Sequence, residues 1–286
     1  MTLYELMEFV VRGAFLGVIY GLLAFPISLV FATTGSVDLA VGAYTVLAVA
    51  IAWAVGGPAG IVLGIAAAVL SSAIVGFISM RLNRPGTFDH ITAVLGTFGL
   101  ATFLESFILT VYGKDPMARQ MFDTFWDVLG VRISPQALIN IVVCLLLLVA
   151  LYVLLYRTPF GRMMRASAIN PLGAALNGIP VQTIWFCTYL LGGFLAGVAG
   201  ILVLYTTGAD YSTGLSLTIS GFGAAIIFGM NSPLRGFAGG LVTGLVQVLS
   251  SAYLPGGWVT AAPMIFIFVV LALGPMNRIA ATGGRV

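Results

Sequence analysis

The sequence predicts an all-α, polytopic integral membrane protein with about eight or nine transmembrane helices, and three observations carry that prediction. The composition is 60% hydrophobic and 7% charged, with a mean hydropathy of +1.11, whereas an ordinary soluble domain is about 25% charged. Apolar runs of roughly 17 to 25 residues, the length a bilayer core requires, recur between short polar breaks. Segments of about ten residues with alternating polarity, which would mark a spanning β-barrel, do not occur. Lipid offers no partner to a free backbone N–H or C=O, so helices are the remaining solution.

Breaks at Gly, Pro and charge clusters place the spans in order near 9–32, 38–55, 58–80, 91–112, 136–156, 181–206, 215–230, 234–253 and 260–276. Together they make a single transmembrane domain over residues 1–286. The segment LSLTISGFGAAIIFGM at 215–230 is short and glycine-rich, so it is expected to be broken or re-entrant. The first fifteen residues carry two acids ahead of Arg12, unlike the basic start of a secretory signal, and no cleaved leader is expected.

Orientation follows from the side on which basic residues collect. Strict alternation puts Arg81, Arg84, Arg157, Arg162, Arg165, Arg235, Arg278 and Arg285 on one face, opposed there only by Asp89. The other face holds Arg12, Lys114, Arg119 and Arg132 against Glu5, Glu8, Asp115, Asp123, Asp127 and Asp210. The expectation is an outer N-terminus and a cytoplasmic C-terminus. The net charge of +3 is then an orientation signal, with no nucleic-acid partner implied.

Catalytic and metal chemistry find little support. Cys144 and Cys187 lie within apolar runs without a Cys-x-x-Cys pair, and a single histidine, His90, makes no metal site unaided. Neither His-Glu-x-x-His nor Gly-x-Ser-x-Gly occurs. Small residues four apart recur instead, as Gly13, Gly17 and Gly21, Gly56, Gly60 and Gly64, Gly193 and Gly197, and Gly236, Gly240 and Gly244. Such rows let helix backbones approach closely.

The stretch TPFGRMMRASAINPLGAALNGIP, Thr158 to Pro180, interrupts the hydrophobicity. Asn170 before Pro171 is a helix-start signature, because Asn caps free N–H groups and Pro lacks the donor that the first turn cannot use. Gly178 supplies the stop. A helix of about seven residues, roughly 10 Å long, results, too short to cross a bilayer. Before it, Pro159 to Ile169 forms a second short helix carrying Arg162 and Arg165 three apart. Two readings compete, an interfacial loop whose arginines meet anionic lipid and a coupling helix that docks on a cytoplasmic ATPase.

Ionisable groups within spans are costly and point to function. Asp38, after Thr34, Gly35 and Ser36, either caps backbone donors or touches cargo. Glu105, deep in LGTFGLATFLESFIL, either pairs with a polar group or lines a passage. Breaks at 33–36 and 230–233 put unpaired backbone at membrane depth, as in transporters built from discontinuous helices, and Ser36 and Ser232 hint at an internal repeat. Ser36, Asp38, Tyr44, Glu105, Asn231 and Ser232 are the candidate translocation-pathway residues.

At this point the chain resembles the permease subunits of ATP-binding-cassette importers in the branched-chain amino-acid uptake family, of the Liv type. Gly161, Arg165, Ala166, Asn170, Pro171, Ala175, Gly178 and Ile179 fit that family's coupling segment at its intervals. Further similarity lies in GVIYGLLAFPISLVFATTGSVDLAVGAY, RPGTFDHITAVLGTFGLATFLES, GGFLAGVAGIL and GFGAAIIFGMNSPLRGFAGGLVTGLVQVL. Two departures stand out. Asp38-Leu-Ala-Val-Gly42 replaces the usual Asn-x-Ala-His-Gly, and FGMNSPLRG at 228–236 replaces a Gly-Gly-x-Gly-Ser pattern.

The resemblance implies a bacterial inner-membrane importer half for a small amino acid or related solute. Its partners would be two cytoplasmic ATPase subunits, a second similar permease, expected to form a heterodimer with this chain, and a soluble periplasmic binding protein. No Gly-x-x-x-x-Gly-Lys-Ser/Thr loop is present, so this chain is expected to carry no cofactor and to be no enzyme itself, with Mg-ATP handled by the partner subunits. A stand-alone secondary transporter or channel is the alternative.

Overall fold

A computed structural model describes residues 3–82, 90–120, 122, 126–128, 131–230, 233–254 and 258–273. Apolar runs give helices α1 (Leu3–Thr34), α2 (Val41–Val55), α3 (Gly57–Leu82), α4 (His90–Tyr112), α5 (Pro135–Arg157), α8 (Val181–Leu204), α9 (Thr213–Ile227), α10 (Pro233–Tyr253) and α11 (Trp258–Leu273). These nine match the nine expected spans within a few residues. Between α5 and α8 lie the two short helices α6 (Pro159–Ile169) and α7 (Pro171–Leu176). A small antiparallel hairpin, β1 (Trp126–Val128) with β2 (Val131–Ile133), precedes α5 and has no counterpart in the sequence reading.

Among the described residues, six helices are long and apolar enough to cross a membrane: α1, α3, α4, α5, α8 and α10. α2 and α9 have 15 residues each, about 22 Å at 1.5 Å per residue, against a hydrocarbon core of about 30 Å. The segment expected at 215–230 is short, as is α2, but it is unbroken over Thr213–Ile227. α2 is largely buried and α9 partly so between longer helices, which supply the protein surroundings a short intramembrane segment requires.

The glycine rows explain the packing. A Cβ on Gly17 would stand 2.6 Å from the Leu241 Cα, and one on Gly13 2.9 Å from that of Leu245. Gly240 and Gly244 return the contact against the backbones of Gly21 and Gly17. α1 and α10 thus run antiparallel with backbones touching. α3 and α8 make the matching pair, Gly197 against Ile65 and Gly76 against Tyr189. The core centres on α1, α2 and α8, where Phe25, Tyr44, Trp185 and Tyr189 are buried.

These contacts describe an inverted repeat. α1 lies along α10 as α8 lies along α3, α1 also packs on α9 as α8 packs on α2, and α2 crosses α9. α1 and α8 are themselves antiparallel, because Trp185 bonds Thr33 while Gly192 faces Pro26. The two breaks share their chemistry. Thr33-Thr34-Gly35 ends α1 and Thr206-Thr207-Gly208 follows α8, with both glycines in the left-handed region, at φ 71° and 67°. Thr33 and Thr206 each donate to the carbonyls three and four residues back. Asp38 Oδ1 accepts from Ala40 N as Asp210 Oδ1 accepts from Ser212 N, both at 2.9 Å. Each short helix starts three residues after its aspartate, and the two meet at Gly42 and Gly214, where a Cβ on Gly42 would collide with the Gly214 carbonyl. The repeat thus aligns Thr33-Thr34-Gly35 with Thr206-Thr207-Gly208 and is inverted; it does not pair Ser36 with Ser232, which lies outside the described residues.

Candidate functional site

Two regions carry functional geometry, the break between α1 and α2 and the α6–α7 segment. At the break the last carbonyls of α1 are met by side-chain hydroxyls. Thr34 Oγ bonds the Val30 carbonyl, Ser36 N bonds Thr34 Oγ, and Gly35 turns the chain. One Asp38 carboxylate oxygen accepts from Ala40 N in a turn just ahead of α2, whose own N-cap position makes no side-chain cap bond. Leu39 N is held by Thr97 of α4 and Gly42 N by Thr218 of α9, 3.2 and 2.9 Å away.

Around that turn the fold gathers polar groups that the sequence scatters. Asp38 and Tyr44 come together, with the Asp38 carboxylate beside the Tyr44 and Tyr189 hydroxyls, and Ser36 is buried two residues before Asp38. Asp38 is 2% exposed. The Tyr44 hydroxyl has the Asp38 carboxylate as its hydrogen-bonding neighbour, and the Tyr189 hydroxyl has those of Ser79 and Thr34. Among the described residues no basic side chain pairs with Asp38, and the one ion pair, Glu8 with Arg12, lies near the start of α1.

Glu105 is placed elsewhere. It lines a cavity of about 100 Å³ where α2, α4 and α9 meet, with Ala43, Phe98, Tyr211 and Gly214. Asn231 and Ser232 lie outside the described residues. The sequence reading missed Tyr189 and Ser79, which sit in ordinary apolar runs of α8 and α3. A second cavity, of about 300 Å³, opens between α3, α4 and α8, and these two hydroxyls stand in its wall.

The α6–α7 segment follows its local chemistry closely. Thr158 caps α6 by accepting from Gly161 N at 3.1 Å, and Asn170 caps α7 by accepting from Gly173 N at 2.9 Å, each with proline next in line. Gly178 ends α7 at φ 79°, a left-handed stop that favours glycine. Gly161 is buried so close to α5 that a Cβ there would collide with the Leu154 and Leu155 carbonyls. Arg165 turns back onto α5, where it donates to the Leu155 carbonyl and stacks over Tyr156 at 4.9 Å. Arg162 is exposed. Ala166 and Ala175 pack with Ala174, Val181 and Trp185 at the start of α8.

Beside Arg162 and two asparagines, the segment offers large apolar side chains outward. Ile169 is 87% exposed, Leu176 81% and Leu172 53%. These three were not singled out in the sequence, although apolar side chains flanking an Asn-Pro start are a legible signal. On the opposite face, the chain after α4 lies across the ends of α2 and α8. Arg119 donates to the Trp53 carbonyl at 2.6 Å, and Met117 pairs with Ala209.

Known proteins resemble this chain over most of its length. The high-affinity branched-chain amino acid transport system permease protein LivH of Escherichia coli K12 is 27% identical over 93% of this chain and 94% of its own. The fructose import permease protein FruG of Bifidobacterium longum is 27% identical over 88% of this chain and 77% of its own. In fold, the chain is similar to PsaBC from Streptococcus pneumoniae, solved in complex with a Fab, with a TM-score of 0.56 at 13% identity over 97% of this chain and 98% of that one. Residues 9–273 match the model of one family, and the chain therefore belongs to the branched-chain amino acid transport system permease components, multi-pass membrane proteins of the ABC transporter class.

Proposed function

We propose that this chain is the membrane-spanning subunit of an ATP-driven importer for a small amino acid or a related small polar or organic-acid solute. It sits in the bacterial inner membrane with α6 and α7 in the cytoplasm and the N-terminus outside, as one permease domain over residues 1–286. The observation that carries the reading is the apolar corner of Ile169, Leu172 and Leu176, held rigid by two caps and by Arg165 on α5. A short helix is marginal alone, yet this one is braced on the start of α8, so a push on α7 moves α8 and the break that Trp185 holds at Thr33. Two ATPase subunits that bind Mg-ATP would grip that corner, a second permease would complete the membrane unit as a heterodimer, and a soluble binding protein would deliver cargo from outside.

Single cysteines at Leu172 and Leu176 test the docking. With the ATPases and binding protein reconstituted in vesicles, both should cross-link to the ATPase, and loaded binding protein should raise ATP hydrolysis. Absence of cross-links from both positions in a complex that transports would overturn the role of α7.

One observation favours a second reading. Inverted repeats joined by short helices at mid-membrane are common in secondary transporters, which work alone. Vesicles holding only this chain should then accumulate solute under an ion gradient, whereas the importer reading expects none.

A further inference from the structure

We propose that the cleft between α3 and α4 is a binding site for one anionic phospholipid of the surrounding bilayer, with an acyl chain in the cavity of about 300 Å³ and the headgroup phosphate on Arg81. The site lies apart from the turn between α1 and α2 and does not depend on which solute the chain carries.

The cavity has the depth and the walls for a chain. Its lining starts at Ser79 and Ala93, each three residues inside the facing ends of α3 and α4, and reaches Phe103. From Ala93 to Phe103 the helix rises about 15 Å, half of a hydrocarbon core of about 30 Å, so the cleft is one leaflet deep. A neighbouring helix would need a groove along the whole core, whereas an acyl chain needs only this half. Gly96 and Gly99 of α4 have nothing within 4 Å of where a Cβ would stand, which leaves the α4 wall open. On the rim, Ile74, Ile78 and Phe103 are 53%, 48% and 62% exposed, so the cleft opens toward lipid. The hydroxyls in its wall are engaged already, since Tyr189 has Ser79 and Thr34 as hydrogen-bonding neighbours. What remains is apolar, and an apolar gap left empty forfeits dispersion contacts on every atom around it.

The charge stands at the matching depth. α3 has 26 residues, about 39 Å at 1.5 Å per residue, so its last turn reaches the headgroup level. Arg81 lies in that turn, three residues beyond Ile78 and on the same side of the helix as Ile74. Its side chain is exposed, its guanidinium stands over the Phe77 ring at 5.1 Å, and among the described residues no acid pairs with it. A guanidinium can hold a phosphate through two parallel N–H bonds. Basic groups beside clefts between spanning helices select anionic headgroups. An occupant also has a structural effect. Thr97, next to Gly96, accepts from Leu39 N at 3.2 Å, so a chain in the cleft packs against the helix that holds the turn before α2.

The test uses the whole permease chain in lipid-free detergent, titrated with phosphatidylglycerol or with phosphatidylcholine carrying the same acyl chains, and reads concentration-dependent stabilisation against heat. Phosphatidylglycerol should stabilise saturably at about fivefold lower concentration than phosphatidylcholine, the weight of one arginine at a charged membrane surface. Arg81→Gln should erase that preference and leave the phosphatidylcholine response within about twofold. Gly99→Leu fills the cleft with a better helix former, and should abolish the saturable response to both lipids without lowering the lipid-free midpoint. A preference that survives Arg81→Gln, or a saturable response unchanged in Gly99→Leu, would overturn the site. So would a Gly99→Leu variant that keeps the lipid response and loses its pairing with a second permease, because the cleft would then belong to a protein neighbour.

Discussion

Replacing Leu176 by alanine gives the sharpest test of how the chain is driven. Fully burying a leucine side chain is worth about 1.5–3 kcal/mol, and Leu176 has 81% of its surface free for a partner. Truncation to alanine keeps one methyl group, so the interface should lose about 1.5 kcal/mol, roughly tenfold in Kd. The fold itself should change by less than about 0.5 kcal/mol, because an exposed side chain leaves no cavity behind. ATPase affinity would be measured against nanodisc-embedded permease, with Leu70→Ala as the control. Leu70 is 67% exposed but sits mid-way along α3, where the surroundings are hydrocarbon. A Leu176→Ala variant that holds the ATPase within twofold of the parent, as Leu70→Ala should, would refute α7 as the docking corner.

Other substitutions probe the frame around that corner. Gly240→Val drives a side chain into the Gly21 backbone and should cost about 3 kcal/mol, the upper range for overpacking, read as a lowered unfolding midpoint in mixed detergent. Arg165→Met removes the bond to the Leu155 carbonyl and the stacking on Tyr156, so amide exchange across 158–169 should rise severalfold. Arg119→Met frees the Trp53 carbonyl at the end of α2 and should loosen residues 113–120 by about 1 kcal/mol, seen as faster proteolysis of that loop. Asp210 lies outside the spans. Partial burial alone would raise its pKa, but hydrogen bonds from Ser212 and Thr213 outweigh that and hold it below the usual 3.8. The stabilisation of that turn is thus present above pH 3.8 and is lost as pH falls through the depressed value. Corrected amide protection at Ser212 should fall in acid, and Asp210→Asn should flatten the dependence.

Much of this molecule was set by local rules that the chain states in order. Hydropathy fixes the nine apolar helices, because a residue's preference for lipid does not depend on which helix lies next to it. Asn170-Pro171 and Gly178 fix the limits of α7, because caps and stops act within a turn. The glycine rows announced close packing, yet their partners were illegible: nothing in Gly13, Gly17 and Gly21 names Leu245, Leu241 and Phe237, which lie more than 200 positions away. The Thr-Thr-Gly and Asp pair was readable twice, but the second copy has one residue fewer before its aspartate and faces the other way.

Only the tertiary structure decided what Asp38 and Glu105 are near. Both are acids in apolar runs, and the sequence names the neighbours of neither. Folding buries Asp38 against tyrosines from two helices and leaves Glu105 on a separate small cavity, since neighbours at membrane depth come from helices far apart in the chain. It also turned Arg165, which looked like an outward charge, onto the end of its own preceding helix, where free carbonyls attract a cation. The outward face that remained, Ile169, Leu172 and Leu176, follows from how α7 leans on α8, and no spacing rule within those residues sets that lean.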